Sequence, residues 1–338
     1  MSLGRTLKAM VAATAAAMVL AACGGGGGGS VGNKAGGDAA PVTLRIGTDD
    51  DGPETPGGGQ IQEFARQVEQ RSRGHVRIEP VWHAAGEHPD DWDQAVGRMV
   101  VRGELDMGMV PARAWDTEGV TTLRALNAPF LVTTDQLVAG IVKSELAPEM
   151  LAGLEKIGVT GLALLPEGLR HVFAFKHPPM SPADYRGMGV RAPLSKTTYA
   201  ALQALGAKPD DFGNDADVYT EGIRKGQVGG ADSSFALAGT LPAPTTAVGN
   251  VTFYPKVNSL VVNSKVLKGL PEEQRAALQN AAQSTVDWAI STNRSDAEVA
   301  KEYCANGGRI VLASRADVAR VQQAVQPVEE HLSRPKAY

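Results

Sequence analysis

Cysteine is almost missing from this chain: only Cys23 and Cys304 carry a thiol among 338 residues. A disulfide framework is therefore excluded, and the fold must rest on an apolar core, which this length can supply. Basic surplus is lacking too, since 33 Lys and Arg stand against 37 Asp and Glu for a formal net charge of −4. Residues 1–22 carry two charges, Arg5 and Lys8, so without them −4 becomes −6. A mildly acidic body with no basic stripe argues against nucleic acid as a partner. The chain has no nucleophile elbow, no Cys–His pairing and no phosphate loop. Nothing singles out a pair of carboxylates for acid–base work.

Long apolar runs are confined to one place. Ala9 to Ala22 is uncharged and follows Arg5 and Lys8, a signal-peptide core shorter than the ~20 residues of a spanning helix. It ends in Leu20-Ala21-Ala22-Cys23, which resembles the lipobox of bacterial lipoproteins and implies lipidation at Cys23. Residues 1–22 are then a signal peptide, and 23–41 a lipidated cysteine with a Gly-rich tether. About 17 flexible residues reach on the order of 20–25 Å, enough to hold a globular body near a membrane surface.

The body alternates strands and helices. Val42, Leu44 and Ile46 keep strand spacing before a loop from Thr48 to Gly59; Ile61, Phe64, Ala65 and Val68 keep helical spacing. A strand over Val76–Val81, a helix from Trp92 to Val100 and a strand over Leu105–Val110 complete β-α-β-α-β, the order of a parallel sheet covered by helices. Further on, the spacing predicts a helix from Thr134 to Lys156 and separate strands over Val159–Leu165 and Arg170–Phe175. It then predicts a helix over Ser195–Leu205, a helix over Asp215–Lys225 and a glycine-rich strand or turn over Gln227–Ser233. Strands over Val251–Tyr254 and Ser259–Val262 follow. A long helix opens at Pro271 and bends near Ser291-Thr292-Asn293; a last strand (Arg309–Leu312) and a helix from Arg315 end the chain.

Gly187-Met188-Gly189-Val190-Arg191-Ala192-Pro193 is a short strand entered by a glycine turn, stopped by proline and followed by a helix. An arginine at the end of a strand, before a helix, sits where open α/β sheets bind ligands. Its planar fork of donors matches a carboxylate and stays charged at ordinary pH.

Several segments, in order, resemble the solute-binding proteins of TRAP (tripartite ATP-independent periplasmic) transporters, the DctP-type family. Gly103-Glu104-Leu105-Asp106-Met107-Gly108 is similar to its "G-x-L-D-M-G" strand. Leu126-Asn127-Ala128-Pro129-Phe130-Leu131 is similar to "dlPfLf", and Ser181 to Pro193 to "tPeDlkGlkiRvp". Ala204 to Pro209 is similar to "aLGA-x-P". The resemblance implies an α/β, two-lobed, periplasmic-binding-protein-like clam-shell. Each lobe would be a mostly parallel sheet flanked by helices, with a long helix bridging the two. Residues 42–167 with 259–298 would form lobe I, and 168–258 with 299–338 lobe II. It implies a small organic acid between the lobes, its carboxylate on Arg191, with Arg170 of Gly168-Leu169-Arg170 assisting. The family's "v-D-G-q-E-N-p" stands here as Val228-Gly229-Gly230-Ala231-Asp232-Ser233-Ser234. Asp232 and Ser233 fall in the ligand-contacting stretch, with Ser233 replacing an asparagine and Gly229 an aspartate. Serine offers one donor where asparagine offers two, so that contact is weakened or remade through water.

Other constellations each carry a binding and a structural reading. Asp49-Asp50-Asp51 with Glu54, in the first β-to-α loop, would hold an amine or cation of the ligand, or form a solvated charge cluster. Gly57-Gly58-Gly59 would expose amides to an anion, or simply turn the chain. Trp82, Trp92, Trp115 and Tyr219 are candidate walls of the cleft or ordinary core; Trp115 and Tyr219 are taken as ligand-binding. His83, Glu87, His88, Asp90 and Asp91 lack zincin spacing, and no metal is expected.

The expectation is an extracytoplasmic, lipid-anchored, monomeric binding protein without catalytic activity or cofactor. It would capture a small organic acid for the membrane subunits of a TRAP-type transporter, touching the membrane only through its anchor. Three other readings share the fold. One is an orphan or sensor-linked lipoprotein for a different, for example zwitterionic, molecule; the others are an enzyme on the same scaffold and a surface scaffold with a vestigial cleft.

Overall fold

The computed structural model describes residues 41–86, 91–210, 216–241 and 244–334. The signal peptide, Cys23 and the tether lie outside them, as do Glu87, His88, Asp90 and Asp215. No helix among the described residues is long and apolar enough to cross a membrane.

The alternation at the start folds as β1 (Val42–Gly47), with Leu44 and Ile46 buried. Helix α1 (Pro56–Arg71) begins earlier than the glycine-rich loop suggested. Thr55 caps it through a bond from the Gly58 amide, and Pro56, with no N–H to lose, takes its first position. Strand β2 (Val76–Val81), α2 (Trp92–Arg102) and β3 (Met107–Pro111) follow, and β1 pairs in parallel with both β2 and β3. The expected single helix over 134–156 is broken into α3 (Asp135–Lys143), α4 (Leu146–Ala152) and a 3-10 turn (Gly153–Ile157). Ser144 is extended between α3 and α4, and its hydroxyl donates to the Ile141 carbonyl at 2.8 Å, closing the first helix.

The two strands expected over 159–165 and 170–175 are one, β4 (Val159–Ala174), whose register shifts at Gly161/Ala163 and Pro166/Gly168. The irregularities absorb Pro166 and Gly168 without ending the strand. Then come α5 (Pro182–Tyr185), β5 (Gly189–Arg191), α6 (Lys196–Ala204), β6 (Lys208–Asp210), α7 (Ala216–Arg224) and β7 (Gly230–Ser233). Strand β8 (Thr246–Val248) has no sequence signal. In place of the two strands expected over 251–254 and 259–262 stands β9 (Tyr254–Asn263), continuous and nearly all buried. Helix α8 (Ser264–Gly269) precedes α9 (Glu272–Thr292). The bend expected near 291–293 is a full break, after which a capping box of Ser295 and Glu298 starts α10 (Asp296–Ala305). Strand β10 (Arg309–Val311) and α11 (Arg315–Ser333) finish the chain.

The sheet runs β2-β1-β3-β9-β4-β7-β5-β6, with β8 joining β4 to β10. Pairing is parallel toward the edges and antiparallel where β9 and β4 meet each other and their neighbours. Buried side chains gather in separate groups. The largest draws on Leu44 to Leu169 and Val257 to Ala289. A second runs from Val172 to Tyr254 with Ala313, Val321 and Val325, beside a small cluster around Phe173, Phe235 and Tyr303. These are two lobes. Strands β4 and β9 run through both, and the chain passes from one to the other again at the α9–α10 break.

Candidate functional site

Strand β4 sets Arg170 opposite Tyr254 of β9, and Val172 opposite Asp232 of β7. Side chains alternate faces along a strand, so Arg170, Tyr254 and Asp232 share one face. They meet there. Arg170 donates Nε–H to Asp232 Oδ1 at 3.0 Å and Nη2–H to the Asp232 carbonyl at 2.7 Å. The Tyr254 hydroxyl donates to Asp232 Oδ2. Burial pulls the Arg170 pKa down, but the charge and hydrogen bond of Asp232, with Tyr254 and Glu167, together outweigh it and hold the group above its ordinary value. Burial first, then the same carboxylate, pushes the Tyr254 phenol well up.

Arg191, at the end of β5, is different. It keeps partial solvent access, and its Cζ lies 5.3 Å from the centroid of the buried Trp92 ring, on the other lobe. Among the described residues no carboxylate comes within ion-pair distance of it. Its charged or ionisable neighbours are Tyr219, Arg170, Asp232 and Arg113; burial, with the repulsion of Arg170 and Arg113, lowers its pKa. A guanidinium remains charged at neutral pH even so.

Arg113 went unnoticed in the sequence, although a lone charge in Val110-Pro111-Ala112-Arg113-Ala114-Trp115 just past a buried parallel strand was a signal. It follows β3 in a 3-10 turn and is buried, with Nη2 bound to Asp93 Oδ2 of α2 at 2.5 Å. Its Nε and Nη1 are enclosed without a hydrogen-bond partner. Arg113 also lines a void of about 10 Å³, with Asn127, Arg170, Tyr254 and Lys256 among its other walls, the size of one water. A larger cavity, about 1040 Å³, opens between the start of α1 and the segment after β7. Glu54, Thr55, Leu169, Phe235 and Trp288 line it; Arg170 and Arg191 do not. Arg113, Arg170 and Lys256 line the smaller void, and Arg191 lines neither.

The other expected site residues divide. Tyr219 stands by Arg191 and stacks edge-on with Phe175 at 5.9 Å, and burial pushes its phenol up to about 12. Asp49 is partly buried just past β1. Asp232 is drawn to the site but spent on Arg170 and Tyr254, so it holds an arginine in place instead of meeting a solute. Ser233 pairs with His171 across β4 and β7, which turns it to the opposite face from Arg170. Trp115 is no wall: it is 0% exposed, with its indole N–H on Ser259 Oγ at 2.8 Å. A side chain that follows β3 inward packs under the sheet and never reaches the cleft.

The remaining constellations are structural. Asp51 pairs with His83 at 2.8 Å, both exposed, and Asp91 with Arg98 at 2.5 Å. Thr48 donates its hydroxyl to Asp50 at 2.9 Å. The amides of Gly58 and Gly59 bond the Thr55 side chain and carbonyl, so neither is offered to an anion. A Cβ on Gly58 would lie 1.9 Å from the Gly52 carbonyl oxygen, which is why glycine stands there.

The lobes are clasped beside the arginines. Asp116 accepts from Ser195 Oγ at 2.9 Å and from the amides of Lys196 and Thr197 at 2.9 and 2.8 Å, capping α6 from the other lobe. Gln94 Nε2 donates to the Leu194 carbonyl at 2.8 Å.

Two lobes closing on buried cations define a solute-binding protein. Residues 49–334 match the model of the DctP family, described as bacterial extracellular solute-binding protein, family 7, and the chain belongs to that family. It is 23% identical over 265 residues to the C4-dicarboxylate-binding periplasmic protein DctP of Rhodobacter capsulatus, covering 76% of this chain and 75% of that protein. Among solved structures it is similar to a TRAP periplasmic solute-binding protein from Ralstonia eutropha with bound (S)-2-acetolactate. That match has a TM-score of 0.73 at 23% identity, over 86% of this chain and 93% of the other. A second, from Pseudomonas aeruginosa with bound L-malate, gives 0.72 at 20% identity over 86% and 100%.

Proposed function

We propose that this protein captures a small organic acid outside the cytoplasm and delivers it to the membrane subunits of a TRAP-type transporter. The acid seats its carboxylate on Arg191. Arg170, fixed by Asp232, lines the seat, and Tyr219 and Trp92 flank it. The observation that carries this is the partly buried Arg191 guanidinium, which has no carboxylate partner among the described residues. A desolvated charge without a partner is costly and is relieved by an anionic guest. Relatives crystallised with carboxylates support the reading. Lobe I is residues 42–167 with 259–298 and lobe II 168–258 with 299–338. The protein is a monomer, tethered by a lipid on Cys23, and does no catalysis.

Calorimetry against a panel of small organic acids tests the seat. Arg191→Ala is expected to weaken the best binder at least ~100-fold, about 2.7 kcal/mol. Arg191→Lys recovers little, because the planar fork is lost. Equal affinity in wild type and Arg191→Ala rules the seat out.

A further inference from the structure

We propose that the site selects a singly charged hydroxy- or oxo-carboxylate over a dicarboxylate, and that the Arg113–Asp93 pair sets this limit. The inference rests on Arg191 as the carboxylate seat. Around that seat the buried cations are already matched. Arg113 has Asp93 at 2.5 Å, Arg170 has Asp232 at 3.0 Å, and Lys256 has Glu167 at 2.6 Å. The side chains of these six residues are between 2% and 14% exposed, so solvent does little to screen them. The remaining buried carboxylate nearby, Asp116, is taken up by the start of α6. Of these four cations, Arg191 alone has no carboxylate within ion-pair distance among the described residues.

A monocarboxylate balances that charge. The second carboxylate of a diacid would be desolvated without a cation of its own, or would have to displace Asp93 or Asp232.

Arg113 supplies the other half of the inference. Its charge is matched, but its Nε–H and Nη1–H donors are not. Arg113 also lines, with Arg170 and Tyr254, a void of about 10 Å³, room for a single oxygen. A hydroxyl or keto oxygen satisfies such donors without bringing a second charge. This separates the chain from the dicarboxylate in the name of its Rhodobacter relative.

Isothermal titration of the purified full chain at about pH 7, where both carboxylates of a diacid are ionised, decides the matter with matched pairs. Galactonate is compared with galactarate, and 2,4-dihydroxybutyrate with L-malate. The monoacid of any pair that binds is expected to be tighter by roughly 10-fold or more. In Asp93→Asn, which leaves the Arg113 charge unmatched, the ratio moves toward the diacid by a similar factor, and Asp93→Glu restores it. Should Asp93→Asn not fold, the wild-type ratio stands as the test. A diacid that binds wild type as tightly as its monoacid overturns the limit; if Arg191→Ala still abolishes that binding, the seat itself survives. Acid binding that Arg191→Ala leaves intact, or no acid binding at all, overturns seat and limit together.

Discussion

The guanidinium of Arg170 meets Asp232 in a fully desolvated pair, 5% exposed on each side chain, with Tyr254 completing the carboxylate's bonds. Such a pair contributes little net stability but is costly to break from one side. Asp232→Asn is therefore expected to lose about 3–5 kcal/mol, read by urea denaturation. The double variant Arg170→Met with Asp232→Asn should recover more than half of that, because no orphaned charge remains. A single variant that loses under ~1 kcal/mol would show the pair to be solvated. At this scale a charge at an apolar strand end drew attention to Arg170 and Arg191, although the same signal at Arg113 was passed over. The sequence put Asp232 in the ligand-contacting stretch but could not give its partner, which depends on which strand lies beside β7 and in what register. It was misleading on Trp115, since an aromatic next to a candidate site reads alike whether it faces the cleft or the core.

Strand β4 is where local signals and the folded element part most clearly. Pro166 and Gly168 look like breakers in any short window, yet β4 keeps its pairing with β9 on both sides of them. What holds the strand is its partner: β9 is buried along nearly its whole length, and that packing is not visible from β4 alone. Gly168 adopts φ of +138°, a conformation that L side chains rarely take. The nearest atom to a Cβ built there is Ser234 Cβ, at 3.7 Å, so space is not the obstacle. Gly168→Ala is thus expected to cost about 1–3 kcal/mol through the backbone alone, measured by thermal unfolding. A neutral outcome would mean that the irregularity relaxes when the residue is changed. The helix breaks follow the same logic. The bend near 291–293 was legible because an unbroken helix would be longer than one domain of this size needs, and the capping box of Ser295 and Glu298 supplies the new start. The break at Ser144 was not, because it depends on a single side-chain bond to the preceding turn.

For the molecule as a whole, the two lobes could be anticipated from the order of strands and helices and from the family resemblance. Their closure could not. The clasp joins residues distant in sequence: Trp92 to Arg191, Gln94 to Leu194, and Asp116 to the start of α6. With only about 10 Å³ beside Arg113 and Arg170, a solute reaches those two arginines only when the lobes part, and it can favour closure only through contacts it makes better in the closed form. Asp116 belongs to one lobe and satisfies helix-start amides on the other, so its three hydrogen bonds are made at closure and not within a lobe. Loss of a helix cap costs about 0.5–2 kcal/mol, which converts to an affinity loss of roughly 10-fold near the middle of that range. Asp116→Ala is expected to weaken whichever acid the wild type binds by about that factor, while the Arg191 seat is untouched. Small-angle scattering of the acid-saturated variant should show a larger radius of gyration than saturated wild type. If affinity falls but the saturated particle is as compact as wild type, Asp116 acts on the seat itself; if neither changes, the α6 cap is not part of closure.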